Sequence, residues 1–170
     1  ALRSSTVYDF LQWDQEHILV ASTSGIYLLH LQKGIIQRFW TQGNETQYLP
    51  HDVIYHFYRD KKNNQKIWLA TGGGGLLQLI INSEELIINS VSTKADNEEP
   101  VRREGGLIID SLRQFTNAEG LSSNVLYAVY EDDYDNLWMP SDYGIIRFHK
   151  TSHKAKAFLQ TDGITHQEFN

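Results

Sequence analysis

Residues 121–158, LSSNVLYAVYEDDYDNLWMPSDYGIIRFHKTSHKAKAF, lie over residues 2–39, LRSSTVYDFLQWDQEHILVASTSGIYLLHLQKGIIQRF, without a gap. In that register Leu2 meets Leu121, Tyr8 meets Tyr127, Leu19 meets Trp138, Gly25 meets Gly144 and Phe39 meets Phe158. A third copy lies between them, starting at Leu49. A repeated phrase of alternating apolar residues with a fixed glycine describes one small β unit used several times. Such a unit cannot bury its own faces alone. The function is therefore expected to reside in the assembly of units.

Within the copy at 121–158, the loop Gly120 to Asn124 leads into Val125–Tyr130, rich in β-branched and aromatic residues, and then into the acidic turn Glu131 to Asn136. Leu137–Met139 predicts a second strand, Ser141 to Gly144 a second turn, Ile145–Phe148 a third strand and Lys154–Leu159 a fourth. The middle copy predicts strands at Val53–Tyr58, Ile67–Thr71 and Leu76–Ile81, the last following four glycines. The first copy predicts Val7–Leu11, Ile18–Ser22, Ile26–His30 and Ile35–Trp40. Each copy is thus a meander of four short antiparallel strands.

The repeat origins Leu2, Leu49, Leu121 and Ile164 are separated by 47, 72 and 43 residues, so the long middle interval locates an insertion. It is placed within Asn82 to Gly106, where the polar, aperiodic run at 92–100 predicts a mobile excursion, and Leu107–Phe115 then supplies the outer strand. Four strands per period of this size predict an all-β fold, a partial β-propeller of about three four-stranded antiparallel blades. The blades are drawn at 2–48, 49–120 with the insertion 82–106, and 121–163, with 164–170 starting the next. A two-sheet sandwich is the competing fold. A helical reading fails because Gly, Asn and Asp recur too closely.

The chain has 170 residues, 41% of them hydrophobic and 12% aromatic, enough for a packed core. Its 15 Lys and Arg stand against 21 Asp and Glu, and no basic stripe interleaves with aromatics, which argues against nucleic-acid binding. The absence of cysteine removes disulfides, thiolate nucleophiles and Cys-based zinc sites together. No apolar run approaches the roughly 18 to 20 residues that cross a bilayer, so no membrane contact is expected within this segment. The start at Ala1 and the end at Asn170 suggest a segment of something longer.

Several residue groups look chemical and read better as structural. Glu131, Asp132, Asp133 and Asp135 lack the glycine and the bidentate glutamate of a calcium loop, which leaves a hairpin turn. Gly72 to Gly75 opens a strand and lacks the Lys-Ser/Thr that follows a phosphate loop. His149 and His153 could share a metal only on a helix, whereas this stretch reads as a turn. Asp14, Asp60 and Asp132 recur after each first strand, as turn chemistry alone predicts, so no catalytic pair, metal or cofactor is assigned. Trp68 and Trp138 hold a repeating core slot, while Trp13 and Trp40 do not repeat and are divided between plain surface exposure and recognition.

The combined spacing of Gly120-Leu121-Ser122-Ser123-Asn124-Val125, Glu131-Asp132, Asn136-Leu137-Trp138, Gly144-Ile145 and Arg147-Phe148 resembles the two-component regulator propeller repeat. Ile67 to Leu76 is similar to its glycine-rich variant, and Asp162-Gly163-Ile164 with Glu168-Phe169-Asn170 to the link into a late blade. The resemblance implies the periplasmic, ligand-sensing part of a membrane-anchored signalling protein. There, propellers of about seven blades precede an immunoglobulin-like segment, a membrane helix and a histidine kinase or diguanylate cyclase output. It implies a small-molecule or oligosaccharide ligand, and input without kinase chemistry in these residues.

Strand parity places the connections into each first strand and the turns between second and third strands on one rim. That rim gathers the candidate ligand contacts Tyr48, His51, Asp52, Ser123, Asn124, Asp142, Tyr143 and His166. Three blades leave two end faces uncovered, so the partners expected are the remaining blades of a parent chain or further copies of this one. The rival functions are a protein-interaction scaffold and a carbohydrate-active enzyme.

Overall fold

The computed structural model describes residues 4–83 and 106–166. The expected insertion, beyond Asn82, Ser83 and Gly106, and the last four residues of the expected next blade lie outside the described residues.

Three four-stranded antiparallel sheets follow one another along the chain, each with its strands in sequence order. The first holds β1 (Val7–Gln12), β2 (His17–Ser22), β3 (Gly25–His30) and β4 (Gly34–Phe39). The second holds β5 (Ile54–Arg59), β6 (Lys66–Thr71), β7 (Leu76–Ser83) and β8 (Leu107–Phe115). The third holds β9 (Tyr130–Glu131), β10 (Asn136–Ser141), β11 (Gly144–His149) and β12 (Ala155–Phe158). These are three consecutive blades of a β-propeller.

The strands of the second blade carry apolar side chains on both faces, and each of those faces has a neighbouring blade to meet. On β6, Ile67 and Leu69 join a core shared with Leu19, Ile26, Leu28 and Phe39 of the first blade. Their neighbours Trp68 and Ala70 turn the other way, into a core shared with Leu137, Met139, Ile146 and Phe148 of the third. The strand period of two thus divides one strand between two seams. The seams have a direction. Leu19, Ile26 and Phe39 face forward from the first blade, as Trp68, Leu76 and Phe115 do from the second. The second blade receives its predecessor on Phe57, Ile67 and Leu69, and the third on the equivalent Val129, Leu137 and Met139.

The fixed glycine opens the third strand. Gly25, Gly75 and Gly144 have φ of +101°, +74° and +85°, and a Cβ on any of them would strike the carbonyl oxygen of Phe39, Phe115 or Phe158 in the adjacent fourth strand. A buried hydroxyl closes each turn. Ser22, Thr71 and Ser141 donate to the carbonyls of Gly25, Gly75 and Gly144 at 2.9, 2.7 and 2.8 Å. This third repeated slot was not recognised in the sequence.

One strand expectation fails. Val125–Tyr130 is not a continuous inner strand: Val125 bridges Gly72 of the second blade, Leu126 bridges Ser141 of the third, and regular pairing begins only at Tyr130. The segment gives up its ladder because its first residues bond across the seam; the Leu126 N–H donates to the Thr71 carbonyl at 2.9 Å. His30 and His149 hold equivalent places at the turn after the third strand, where each Nδ1 accepts backbone N–H groups, from Gln32 and Lys33 in one case and Thr151 and Ser152 in the other. No helix among the described residues is long and apolar enough to cross a membrane.

Candidate functional site

The inner strands carry a tyrosine row. In β1 the pairing passes from Val7↔Ser22 to Asp9↔Ala21, and in β5 from Ile54↔Thr71 to His56↔Ala70, so Tyr8 and Tyr55 are the extra residues of two β-bulges. The third blade likewise has one surplus residue between its Leu126↔Ser141 and Tyr130↔Trp138 pairs, and Tyr127 lies within that stretch. A bulge re-aims a side chain out of the sheet's alternation. The Tyr8 ring meets Tyr55 edge-on at 4.8 Å, and Tyr55 stacks on Tyr127 at 5.6 Å. The same slot in three blades therefore forms one continuous row, as wedges related by rotation require and a sandwich does not.

The row ends at a candidate rim residue. The Tyr127 hydroxyl donates to Asp142 Oδ1 at 2.5 Å, within the β10–β11 turn. Burial, then the charges of Tyr8 and Asp142, push the Tyr55 phenol up from its ordinary value. His51 packs against the glycine turn on the same rim: a Cβ on Gly74 would lie 2.6 Å from the His51 Cβ, and one on Gly72 would lie 2.7 Å from Val53. The glycine run thus makes room for the chain entering the second blade as well as closing a hairpin.

Half of the eight rim candidates have their side chains employed in building the loops. Asp52 accepts from the Thr41 N–H at 2.8 Å and the Thr41 hydroxyl at 3.0 Å, while its carbonyl takes the Gly25 N–H at 2.7 Å. Asn124, in the equivalent place, accepts from the Asn117 N–H and takes the Gly75 N–H on its carbonyl, both at 2.8 Å. His51 Nδ1 and the Ser123 hydroxyl accept the N–H of the residue two further on, Val53 and Val125. Tyr48, Asp142, Tyr143 and His166 are exposed. The Tyr143 carbonyl receives the Ser122 hydroxyl at 2.9 Å, which leaves its ring outside the loop's bonding. Sequence reasoning missed the tyrosine row as a site, although the signal was one residue type at one repeat slot.

Turn chemistry alone does not account for the acids of the opposite rim. Asp60 accepts from the Trp68 indole at 3.0 Å and from Lys150 Nζ at 3.0 Å, and Lys150 reaches Glu131 at 2.6 Å. All three side chains are at least nine-tenths buried, and they tie the second blade to the third. Burial alone would raise the Asp60 carboxyl, but the indole, the Lys62 N–H and Lys150 hold it below its ordinary value. Burial likewise opposes the charge on Lys150, and Glu131 and Asp60 outweigh it, so its ammonium is held above the usual lysine range. Asp132 repeats the motif with the Trp138 indole at 2.8 Å and two backbone N–H groups, which press it far below the usual carboxylate range. Lys61 takes Asp133 at 2.9 Å and Lys62 takes Asp135 at 2.6 Å. The acidic run is a hairpin turn in which Glu131, Asp133 and Asp135 pair with lysines, while Asp132 is held by the Trp138 indole and backbone N–H groups.

Trp13 and Trp40 are half-buried under cations: the Arg59 guanidinium lies 4.8 Å from the Trp13 ring and that of Arg38 4.7 Å from the Trp40 ring. His56 lies between blades, accepting the Val129 N–H on Nδ1 at 3.4 Å with Nε2 3.9 Å from Asp9; burial outweighs that carboxylate and lowers its pKa.

No family model matches the chain. Over 51 residues, 30% of its length, it is 33% identical to the histidine kinase P4 of Formosa agariphila, of which it covers 4%. Among solved structures it is similar to the extracellular domain of the hybrid two-component system BT3049 of B. thetaiotaomicron, with a TM-score of 0.65, 16% identity and 96% of this chain covered. The extracellular domain of the hybrid system BT4673 of the same organism gives 0.57, 14% and 89%. The chain spans 18% and 15% of those two solved chains. It has the fold of the blades in two-component extracellular domains.

Proposed function

We propose that this chain forms blades of the extracytoplasmic, ligand-sensing propeller of a membrane-anchored two-component receptor, and that ligand meets the rim where Tyr127, Asp142 and Tyr143 converge. The observation that carries the reading is the likeness across 96% of the chain to the extracellular domain of a hybrid two-component system. The rim supports the location. Asp142 stands at the end of a rigid tyrosine row, and the Tyr143 ring is exposed beside it. A carboxylate next to aromatic rings suits a small polar ligand with apolar faces, such as a sugar or other hydroxylated molecule. On this reading the segment is input, and kinase or cyclase chemistry lies in other domains of the receptor.

The test is made in the complete receptor. Asp142→Asn with Tyr143→Ala should abolish the signalling response while moving the melting temperature by less than about 2 °C, since neither side chain builds the core. An unchanged response would move the ligand elsewhere. Loss of folding would make the two residues structural.

A further inference from the structure

We infer that the rim bearing Tyr127, Asp142 and Tyr143 recognises a protonated amine, so that its ligand is a hydroxylated molecule with a cationic nitrogen, an amino sugar being the simplest case. The inference rests on the rim reading above and adds the sign of the charge. The two rims differ in their basic residues. Among the described residues, the connections on the ligand rim, at 4–6, 23–24, 40–53, 72–75, 116–129, 142–143 and 159–166, contain no lysine or arginine. The turns of the opposite rim, at 13–16, 31–33, 60–65, 132–135 and 150–154, hold Lys33, Lys61, Lys62, Lys150 and Lys154. There the chain supplies counter-charge to its own acids: Lys61 to Asp133, Lys62 to Asp135, and Lys150 to Asp60 and Glu131.

Most acids of the ligand rim are occupied in closing loops. Asp52, Glu119 and Asp162 accept the backbone N–H groups of Thr41, Thr116 and Leu159. Of the two left over, Glu45 lies in the connector between the first and second blades, and Asp142 at the end of the tyrosine row. Asp142 takes the Tyr127 hydroxyl on one oxygen and is exposed, with no lysine or arginine among the described residues paired to it. Arg38 reaches this rim from β4, but its Nε and Nη2 both donate to the Ser24 carbonyl, at 2.8 and 2.6 Å, and its guanidinium lies against the Trp40 ring. A neutral ligand covering Asp142 would strip water from the carboxylate without returning charge, whereas an ammonium group compensates it through a charge-assisted hydrogen bond. The phenol rings act in the same direction, because aromatic faces are negative and attract cations. A rim without basic residues also favours the approach of a cation from solution.

The test titrates the 170-residue chain with chitosan disaccharide, at a pH that keeps its amines charged, and with chitobiose, the same skeleton with both amines acetylated. Binding is read by NMR of isotope-labelled tyrosine side chains. The charged disaccharide should shift Tyr127 and Tyr143 saturably, and chitobiose should bind at least about tenfold more weakly. Raising the salt to about 1 M, where the screening length falls to about 3 Å, should weaken the first several-fold and change the second little. Asp142→Asn keeps an acceptor for the Tyr127 hydroxyl and removes the charge, so it should bring the charged disaccharide down to the affinity of chitobiose. An amide spectrum unchanged outside the β10–β11 turn shows that this variant keeps its fold; where it does not, the disaccharide pair and the salt dependence decide. Equal affinity for the two disaccharides, tighter binding of chitobiose, or no saturable shift with the charged one overturns the inference. The rim reading fails by a different result, an unchanged response of the complete receptor after substitution of Asp142 and Tyr143.

Discussion

Gly75 illustrates why a single residue recurs. Its φ of +74° costs an L side chain about 1–2 kcal/mol before any contact is counted, and here a Cβ would also strike the Phe115 carbonyl. Gly75→Ala should therefore lower stability by at least about 2 kcal/mol, read as a fall in the urea midpoint at unchanged slope. Lys150 works through charge instead. Asp60, with a folded pKa below its unfolded value of 3.8, contributes stability that is fully present above about pH 4 and lost as pH falls through the folded value. Lys150, raised from 10.5, contributes stability present below that value and lost as pH climbs through its folded one. Lys150→Met leaves two buried carboxylates facing each other and should cost about 3–5 kcal/mol at pH 7. Desolvation then raises their pKa, so the variant should gain stability on mild acidification where the parent does not, as urea titrations between pH 4 and 7 would show.

At the scale of the element, the two repeat tryptophans form a matched experiment. Both occupy the forward slot of a second strand, and both donate to the aspartate that closes the preceding turn. Trp68 is sealed between Phe115 and Phe148, with ring centroids at 6.3 and 6.2 Å, whereas Trp138 has Phe158 on one side and solvent on the other. Trp68→Ala should cost about 3–5 kcal/mol, and Trp138→Ala about 1–2, because only the first leaves a cavity. Equal losses in calorimetry would mean that the forward face of the third blade is covered.

Across the whole molecule, stability travels from neighbour to neighbour, since each seam joins two adjacent blades and the described cores divide into two. Phe57→Ala should loosen the first seam and speed amide exchange in β2 and β3 while β10 and β11 keep their protection. Uniform acceleration would show that the three blades open as one unit. A rigid row of wedges also suits sensing, because loops at the rim vary in composition while the sheets hold their spacing.

Eleven of the twelve strands were legible because alternation and turn residues act over a few positions, and nothing beyond the repeat was needed to locate Leu107–Phe115 across the long interval. The inner strand of the third blade was not, since Leu126 spends its N–H on Thr71 of another blade. Of the rim, the sequence placed Asp142 and Tyr143 in the turn between the second and third strands of their blade, but it could not show that the side chains of Asp52 and Asn124 are held by Thr41 and Asn117 once the loops close. By itself, then, the chain determined the repeating strands and their turns, set by short-range backbone preferences, and the propeller followed because one unit that cannot bury its own faces is repeated. Tertiary structure alone decided that bulges turn the tyrosines into a row and that Lys150 meets Asp60 90 residues away, because such contacts exist only after the blades have packed.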